Sequence, residues 1–237
     1  MKKGTLYLIP NTLGGPAGDV TTTLTKSVVQ TIKTFVVEEL RSARRLLRAI
    51  GYTEDFENVN FILLNEHTKS DNEFGMVEAL IRGENMGVIS EAGVPCVADP
   101  GNVAVMKAHQ IGAPVVPLVG ASSILLTLMA SGLNGQNFAF NGYLPRERAE
   151  RIKKLQQLEQ LVVRNNQTQL MMDAPYRNEA LFEDIVNHLS PRLLLCIAAD
   201  LTMDSEQIGT KSLEEWMAKP PKLHKRPVMF AIGRAQN

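Results

Sequence analysis

Short apolar runs separated by polar or amphipathic stretches recur through the first half of the chain. Leu6–Ile9, Phe35–Val37, Phe61–Leu64, Met86–Ile89 and Val115–Leu118 have the length and apolar content of buried strands. Between them, Arg41–Ile50, Phe74–Ile81 and Val103–Gln110 predict helices, the first carrying Leu46, Leu47 and Ile50 on one side. Gly51, Gly83 and Gly112 follow these helices where a left-handed residue usually ends one. Asp19 predicts the N-cap of an earlier helix reaching Thr31, because its carboxylate can accept from free first-turn amides. Strands that are apolar throughout and alternate with helices predict an α/β fold, with a parallel sheet covered on both faces.

The second half reads differently. Ile124–Leu133 is strongly apolar and predicts a buried helix. Phe138–Phe140, Leu170–Met172, Leu193–Ala199 and Val228–Ile232 predict strands, with helices over Ala149–Gln160 and Glu179–Leu189. No Gly/Ser-rich linker separates the halves, so a compact boundary is placed at Leu118, giving domains 1–118 and 119–237.

Composition narrows the function. Hydrophobic residues make up 44% and charged residues 21%, the balance of a globular chain. Basic and acidic residues number 25 each, which argues against a broad polyanion-binding surface but not against a local basic patch. Aromatics at 5% are sparse for a protein that binds single strands by base stacking. Cys96 and Cys196 lack metal-type spacing, and His67, His109, His188 and His224 are scattered, so no metal is expected. The two cysteines suit a reducing compartment. The apolar run after Met1-Lys2-Lys3 is too short for a leader, and no stretch is long enough to span a bilayer, so a cytoplasmic location is expected.

In parallel sheets ligands bind beyond the carboxyl ends of the strands. Two loops there stand out, Asn11–Gly18 and S-E-A-G-V-P-C-V-A-D-P-G over Ser90–Gly101. The second holds two glycines, two prolines and the carboxylates of Glu91 and Asp99, which suits either close backbone approach to a ligand or a pair of tight turns. Val116–Leu126 places Gly120, Ser122 and Ser123 ahead of an apolar helix, where a serine can cap the helix or contact a ligand oxygen. Arg146 and Arg177 each sit near a proline and a tyrosine, as solvated surface or as anion contacts. Arg41, Arg44, Arg45 and Arg48 recur at helical spacing, and Lys222–Arg226 is a second basic run. Each run is read either as a solvated face or as a phosphate contact. Dinucleotide-fingerprint, phosphate-loop and nucleophile-elbow motifs are absent, which weakens dehydrogenase, NTPase and hydrolase readings.

Taken in order, L-Y-L-I-P, I-S-E-A-G-V-P-C-V-A-D-P-G, V-V-P-L-V-G-A-S-S, A-S-G-L and F-N-G-Y-L-P-R resemble the tetrapyrrole-methylase-like methyltransferases. Within that family the chain is most similar to the subfamily that methylates a cytidine ribose 2′-hydroxyl in small-subunit ribosomal RNA. The resemblance covers essentially the whole chain. It implies a parallel-sheet N-terminal domain, a mixed-sheet C-terminal domain, and S-adenosylmethionine bound in the cleft between them. It also implies a homodimer acting on ribosomal RNA or the small ribosomal subunit. Carried over by position, donor contacts fall on Leu13, Glu91, Val94, Ser122, Ser123, Met172, Ala199, Pro227 and Met229. Glu39 and Arg41 become the acceptor-side catalytic candidates, and Arg146 and Arg177 the substrate-phosphate contacts.

Several motifs depart from the family pattern. The usual T-P-I-G-N is N-T-L-G-G here, and E-D-T-R is Glu38-Glu39-Leu40-Arg41. S-D-A-G-T-P becomes Ser90-Glu91-Ala92-Gly93-Val94-Pro95, S-P-H-R becomes Ala174-Pro175-Tyr176-Arg177, and R-E-L-T becomes Ala199-Asp200-Leu201-Thr202. The donor framework is thus better kept than the acceptor side. A small-molecule acceptor such as a tetrapyrrole, or donor binding without catalysis, are the alternatives to RNA methylation.

Overall fold

A computed structural model describes residues 2–64 and 71–235. His67 of the scattered histidines lies outside them. Contacts divide the chain into two compact units, Met1–Ser122 and Ser123–Asn237.

The first unit runs β1 (Leu6–Ile9), α1 (Ala17–Val20), α2 (Thr23–Val29), β2 (Thr34–Val37), α3 (Leu40–Ala49), β3 (Asn60–Leu63), α4 (Asp71–Ile81), β4 (Met86–Ile89), α5 (Asn102–Gln110) and β5 (Val115–Pro117). Its sheet is wholly parallel, in the order β3-β2-β4-β1-β5. All four residues of β2 are buried. Phe35 and Val37 join one core with Ile9, Leu46 and Leu47, while Val36 joins another with Leu6, Met86 and Leu80. Alternate side chains thus fill both faces, as the continuous apolar strands predict. Gly87 makes room for this packing, since a Cβ there would lie 2.6 Å from Ile9 Cδ1 and 2.8 Å from Phe35 Cδ1. Gly51, Gly83 and Gly112 have φ of +86°, +86° and +67°, as their helix-ending role requires.

The expected Asp19 cap is not formed. Asp19 lies inside the four-residue α1, and Thr21 and Thr22 are extended, so the chain leaves helical geometry and starts again. Thr22 caps α2, its hydroxyl accepting from the Thr25 amide at 3.1 Å.

The second unit runs α6 (Ser123–Ser131), β6 (Phe138–Tyr143), α7 (Arg148–Asn165), β7 (Thr168–Met172), α8 (Asn178–His188), β8 (Leu194–Ala199), β9 (Gln207–Ser212), α9 (Leu213–Ala218) and β10 (Val228–Gly233). Its sheet is mixed, ordered β6-β7-β10-β8-β9, with β6 parallel to β7 and the other pairs antiparallel. The core joins Leu155 and Leu158 of α7, Leu181 and Ile185 of α8, and Phe230 of β10.

α6 corrects a second expectation. It buries Thr127 and Ser131 and leaves Leu125 51% and Met129 78% exposed. Small residues meet the sheet: the Ser131 carbonyl accepts from the Thr210 hydroxyl at 2.8 Å. The apolar side of the helix therefore faces outward.

One buried ion pair fastens α7 to α8. Arg151 Nη2 and Nε donate to Asp184 Oδ2 at 2.6 and 2.8 Å, with the two side chains only 7% and 2% exposed. Arg151 Nη1 also donates to the Arg146 carbonyl at 3.0 Å, fixing the turn that carries Arg146. Removing one partner strands the other charge in a dry site. Asp184→Ala is expected to cost roughly 3–5 kcal/mol in denaturant unfolding, and a loss below about 1 kcal/mol would show that the pair does not anchor the helices.

Candidate functional site

Strand register brings three loops to one place in the first unit. Ile9 pairs with Ile89, and Ile89 with Val37, so the loops beginning at Pro10, Ser90 and Glu38 leave the sheet side by side. They are then tied together. Asn11, which is buried, donates through Nδ2 to the carbonyls of Ser90 and Glu91, both at 2.9 Å, and to Ser42 Oγ at 3.1 Å. Ser42 Oγ donates onward to the Glu91 carbonyl at 3.1 Å. The Asn11 amide donates to the Gly93 carbonyl at 2.8 Å, and the Gly93 amide returns a bond to the Thr12 carbonyl at 3.2 Å. Sequence reasoning passed over Asn11 and Ser42. The available signal was an amide side chain directly after a strand-ending proline.

Ser90–Gly101 adopts a single defined shape. Gly93 has φ +67°, and a Cβ there would sit 3.1 Å from Leu13 Cδ2 and 3.3 Å from the Ala121 carbonyl. Cys96 and Ala98 also have positive φ, at +68° and +64°, which non-glycine residues adopt only under constraint. Asp99 supplies that constraint, its carboxylate accepting from the Cys96 amide at 2.9 Å and the Gly101 amide at 2.7 Å. The two carboxylates of this loop therefore differ: Asp99 holds the turn, while the Glu91 side chain is exposed. Burial, and then the Asp99 charge, push the Cys96 thiol up to about 11, which keeps it unreactive as a nucleophile.

A cavity of about 370 Å³ opens between the first loop, α3 and the Ser90 loop. Leu13, Gly14, Ser42, Arg45 and Glu91 are among its walls. Val94 is half-buried on the same loop as Glu91, and Ser122 ends the segment after β5. Gly120 lets that segment close on the first loop, because a Cβ there would fall 2.2 Å from Pro10 Cβ.

Glu39 is the N-cap of α3. Its two carboxylate oxygens accept from the amides of Arg41 at 2.8 Å and Ser42 at 2.6 Å. These backbone bonds lower its pKa, and the Arg41 and Arg45 charges lower it further. A carboxylate so held is a weak proton acceptor but a well-oriented one.

The second unit gathers another group. Met172 ends β7 and pairs with Met229, Ala199 ends β8 and pairs with Val228, and Pro227 precedes β10. Ser123 is the first residue of α6. Asp173 and Arg177 form an ion pair beside Met172. Asp173 Oδ2 and Arg177 Nε and Nη1 are buried with no partner among the described residues, which is rare for buried polar atoms. Arg226 braces the neighbouring loop by donating to Asp200 Oδ2 and the Ser205 carbonyl, each at 2.8 Å, so part of the Lys222–Arg226 basic run is structural. Asp200 and Thr202 in that loop have φ of +53° and +69°. Arg146 is exposed on the turn between β6 and α7. Among the described residues no group of histidine, cysteine or acidic side chains could hold a metal.

No family profile matches the chain. Sequence similarity does extend along nearly its whole length. It is 27% identical to the ribosomal RNA small subunit methyltransferase I of Haemophilus influenzae over 97% of this chain and 78% of that protein. The Bacillus subtilis protein of the same name is 29% identical over 90% of this chain and 68% of its own length. The one from Micromonospora olivasterospora is 31% identical over 91% of this chain and 65% of its own length. Among solved structures, the methyltransferase CobJ superposes with a TM-score of 0.65 at 15% identity, covering 98% of this chain and 95% of that one. Uroporphyrin-III C-methyltransferase from Thermus thermophilus, solved in complex with S-adenyl homocysteine, gives 0.58 at 16% identity and 97% coverage of both chains. The chain thus shares the fold of these tetrapyrrole methyltransferases, and along nearly its whole length it is similar in sequence to proteins named ribosomal RNA small subunit methyltransferase I.

Proposed function

We propose that the chain transfers a methyl group from S-adenosylmethionine to a cytidine ribose 2′-hydroxyl in small-subunit ribosomal RNA. The observation that carries this reading is similarity over 97% of the chain to a protein named for that class of reaction. S-adenosylmethionine, when bound, supplies a methyl group already activated on a sulfonium, so the protein's task is alignment and exclusion of water.

Leu13, Glu91, Val94 and Ser122 of the first unit, with Ser123, Met172, Ala199, Pro227 and Met229 of the second, are assigned to the donor. The residues fit it. Small and apolar walls such as Leu13 and Gly14 suit its uncharged parts, and the unpartnered Asp173 Oδ2 beside Met172 suits a hydroxyl or ammonium donor. Glu39 and Arg41 are assigned to the acceptor. Glu39 acts as an oriented carboxylate, since its caps make it a poor base, and it places Arg41 at the start of α3. Arg146 and Arg177 are assigned to substrate phosphate, with the exposure of Arg146 on its turn as support.

A homodimer accounts for the outward apolar side of α6, and sedimentation at micromolar concentration tests it. Among the described residues no helix is long and apolar enough to cross a membrane. A cytoplasmic location follows from a ribosomal substrate. The alternative of a tetrapyrrole-like acceptor draws on the solved structures of like fold.

Calorimetric titration with S-adenosylhomocysteine is expected to show one site per chain, and labelled methyl is expected to reach small subunits from a strain lacking this protein. Donor binding without transfer to subunits or any other cellular fraction would leave a binding protein and overturn the enzyme. Glu39→Gln and Arg41→Ala are each expected to slow transfer by tenfold or more, the ordinary scale for a positioned catalytic group, with donor affinity little changed; normal rates in both would remove the acceptor-side assignment. Asn11→Ala removes the side-chain donor from the Ser90 carbonyl and leaves the Glu91 carbonyl only its bond from Ser42 Oγ, so it is expected to cost about 1–3 kcal/mol of stability and to weaken S-adenosylhomocysteine binding. Unchanged binding would detach the loop tie from the donor site.

A further inference from the structure

The four arginines of α3 share a helical spacing but not a surroundings. Arg44 lies over the rings of Phe56 and Phe61 at 5.4 and 5.3 Å from their centroids. Arg48 lies over Phe56 at 4.0 Å, and its Nη1 donates to the carbonyls of Tyr52 at 2.9 Å and Glu54 at 3.0 Å. Those rings continue through Phe61 to the buried Phe35, 5.8 Å away and stacked. Arg44 and Arg48 thus close the outer side of a hydrophobic cluster. All four arginines are exposed, but the Arg41 and Arg45 side chains make no hydrogen bond or ion pair among the described residues. Arg45 lines the cavity that also holds Leu13, Ser42 and Glu91. Arg41 and Arg45 lie one turn apart on α3, and the charges of both lower the Glu39 pKa. The Glu39 carboxylate is already occupied by backbone amides and does not pair with either.

We propose that Arg45, on the α3 side of the cavity whose loop walls take the donor, is a phosphate contact for the RNA substrate, with Arg41 beside it, and that Arg44 and Arg48 take no part in binding. This rests on the RNA reading above and sharpens it by dividing one basic run into a binding pair and a structural pair. An unpaired guanidinium at a cavity mouth offers two parallel N–H groups to a phosphate, a geometry that an ammonium cannot copy.

The test uses the full-length protein, labelled donor and small ribosomal subunits from a strain lacking it, across a series of salt concentrations. Arg45→Gln is expected to raise KM for subunits roughly tenfold, as loss of one charge-assisted contact does, with kcat and S-adenosylhomocysteine affinity unchanged. The slope of log kcat/KM against log salt should become shallower by about 0.7–1, the release of one phosphate contact. Arg45→Lys should restore the slope while recovering only part of the affinity. Arg44→Gln and Arg48→Gln should lower the melting temperature and keep the wild-type KM and slope, measured below their transitions. A wild-type slope and KM in Arg45→Gln would overturn the proposal, as would an equal loss of slope in the Arg44 and Arg48 variants. If the wild type binds S-adenosylhomocysteine yet methylates no subunits, the RNA reading itself fails and takes this assignment with it.

Discussion

At the carboxyl end of a parallel sheet, the strands stop but their last carbonyls and the loops beyond them stay close to the core. Those groups lose their ladder partners and must find others. In the first unit the Asn11 side chain meets much of that need, bonding the Ser90 and Glu91 carbonyls and Ser42 while its own oxygen accepts from the Thr12 amide at 2.8 Å. Because Ser42 belongs to α3, the same few bonds join the loops after β1 and β4 to the helix after β2. Leu13, Glu91 and Arg45 share a cavity as a consequence of this constraint. Without the tie, three loops of different length and composition would have no common reference.

A second constraint sits one turn along α3. The helix is entered through the Glu39 cap, so its rotation about its own axis is set at the first turn. Leu46 and Leu47 face the core, and the arginines fall where the period of 3.6 leaves them. Arg44 and Arg48 land over the Phe56 and Phe61 rings, and Arg45 lands on the cavity beside the loops. A run that looks uniform in the sequence is divided by what lies beneath it. That division explains why counting arginines said little about nucleic-acid binding, whereas locating them says more.

Much of the fold was legible because its signals are local and strong. The β4 bounds Met86–Ile89 follow directly from an apolar run between polar residues, and Gly51, Gly83 and Gly112 occupy the left-handed positions their placement after helices implied. The misses have physical causes. β9, Gln207–Ser212, is an edge strand with only one neighbour, so it carries polar residues and shows no apolar run. The Asp19 cap failed because two extended threonines let Thr22 start the helix instead. α6 was read as buried from its leucines, but apolar content says only that a surface should be covered, and the sheet covers the threonine and serine side. Of the candidate site, the conspicuous loops could be found from glycine and proline. Asn11 could not, because a single amide reveals its value only when its three acceptors are in view.

The Glu39 carboxylate shows how a structural duty limits a chemical one. Its pKa is lowered chiefly by the two amides it caps. The cap is therefore present at pH above the ordinary carboxylate value and is lost only as the pH falls through the depressed one. At neutral pH the group is fully ionised and engaged, which fits a carboxylate that orients an acceptor and fits poorly one that removes its proton. Methyl transfer from a sulfonium tolerates this, because the leaving group is already activated and the acceptor needs chiefly to be aligned. Backbone loops, one buried amide and a capped carboxylate hold their positions through bonds already made, and the methyl transfer proposed above asks chiefly for such fixed positions.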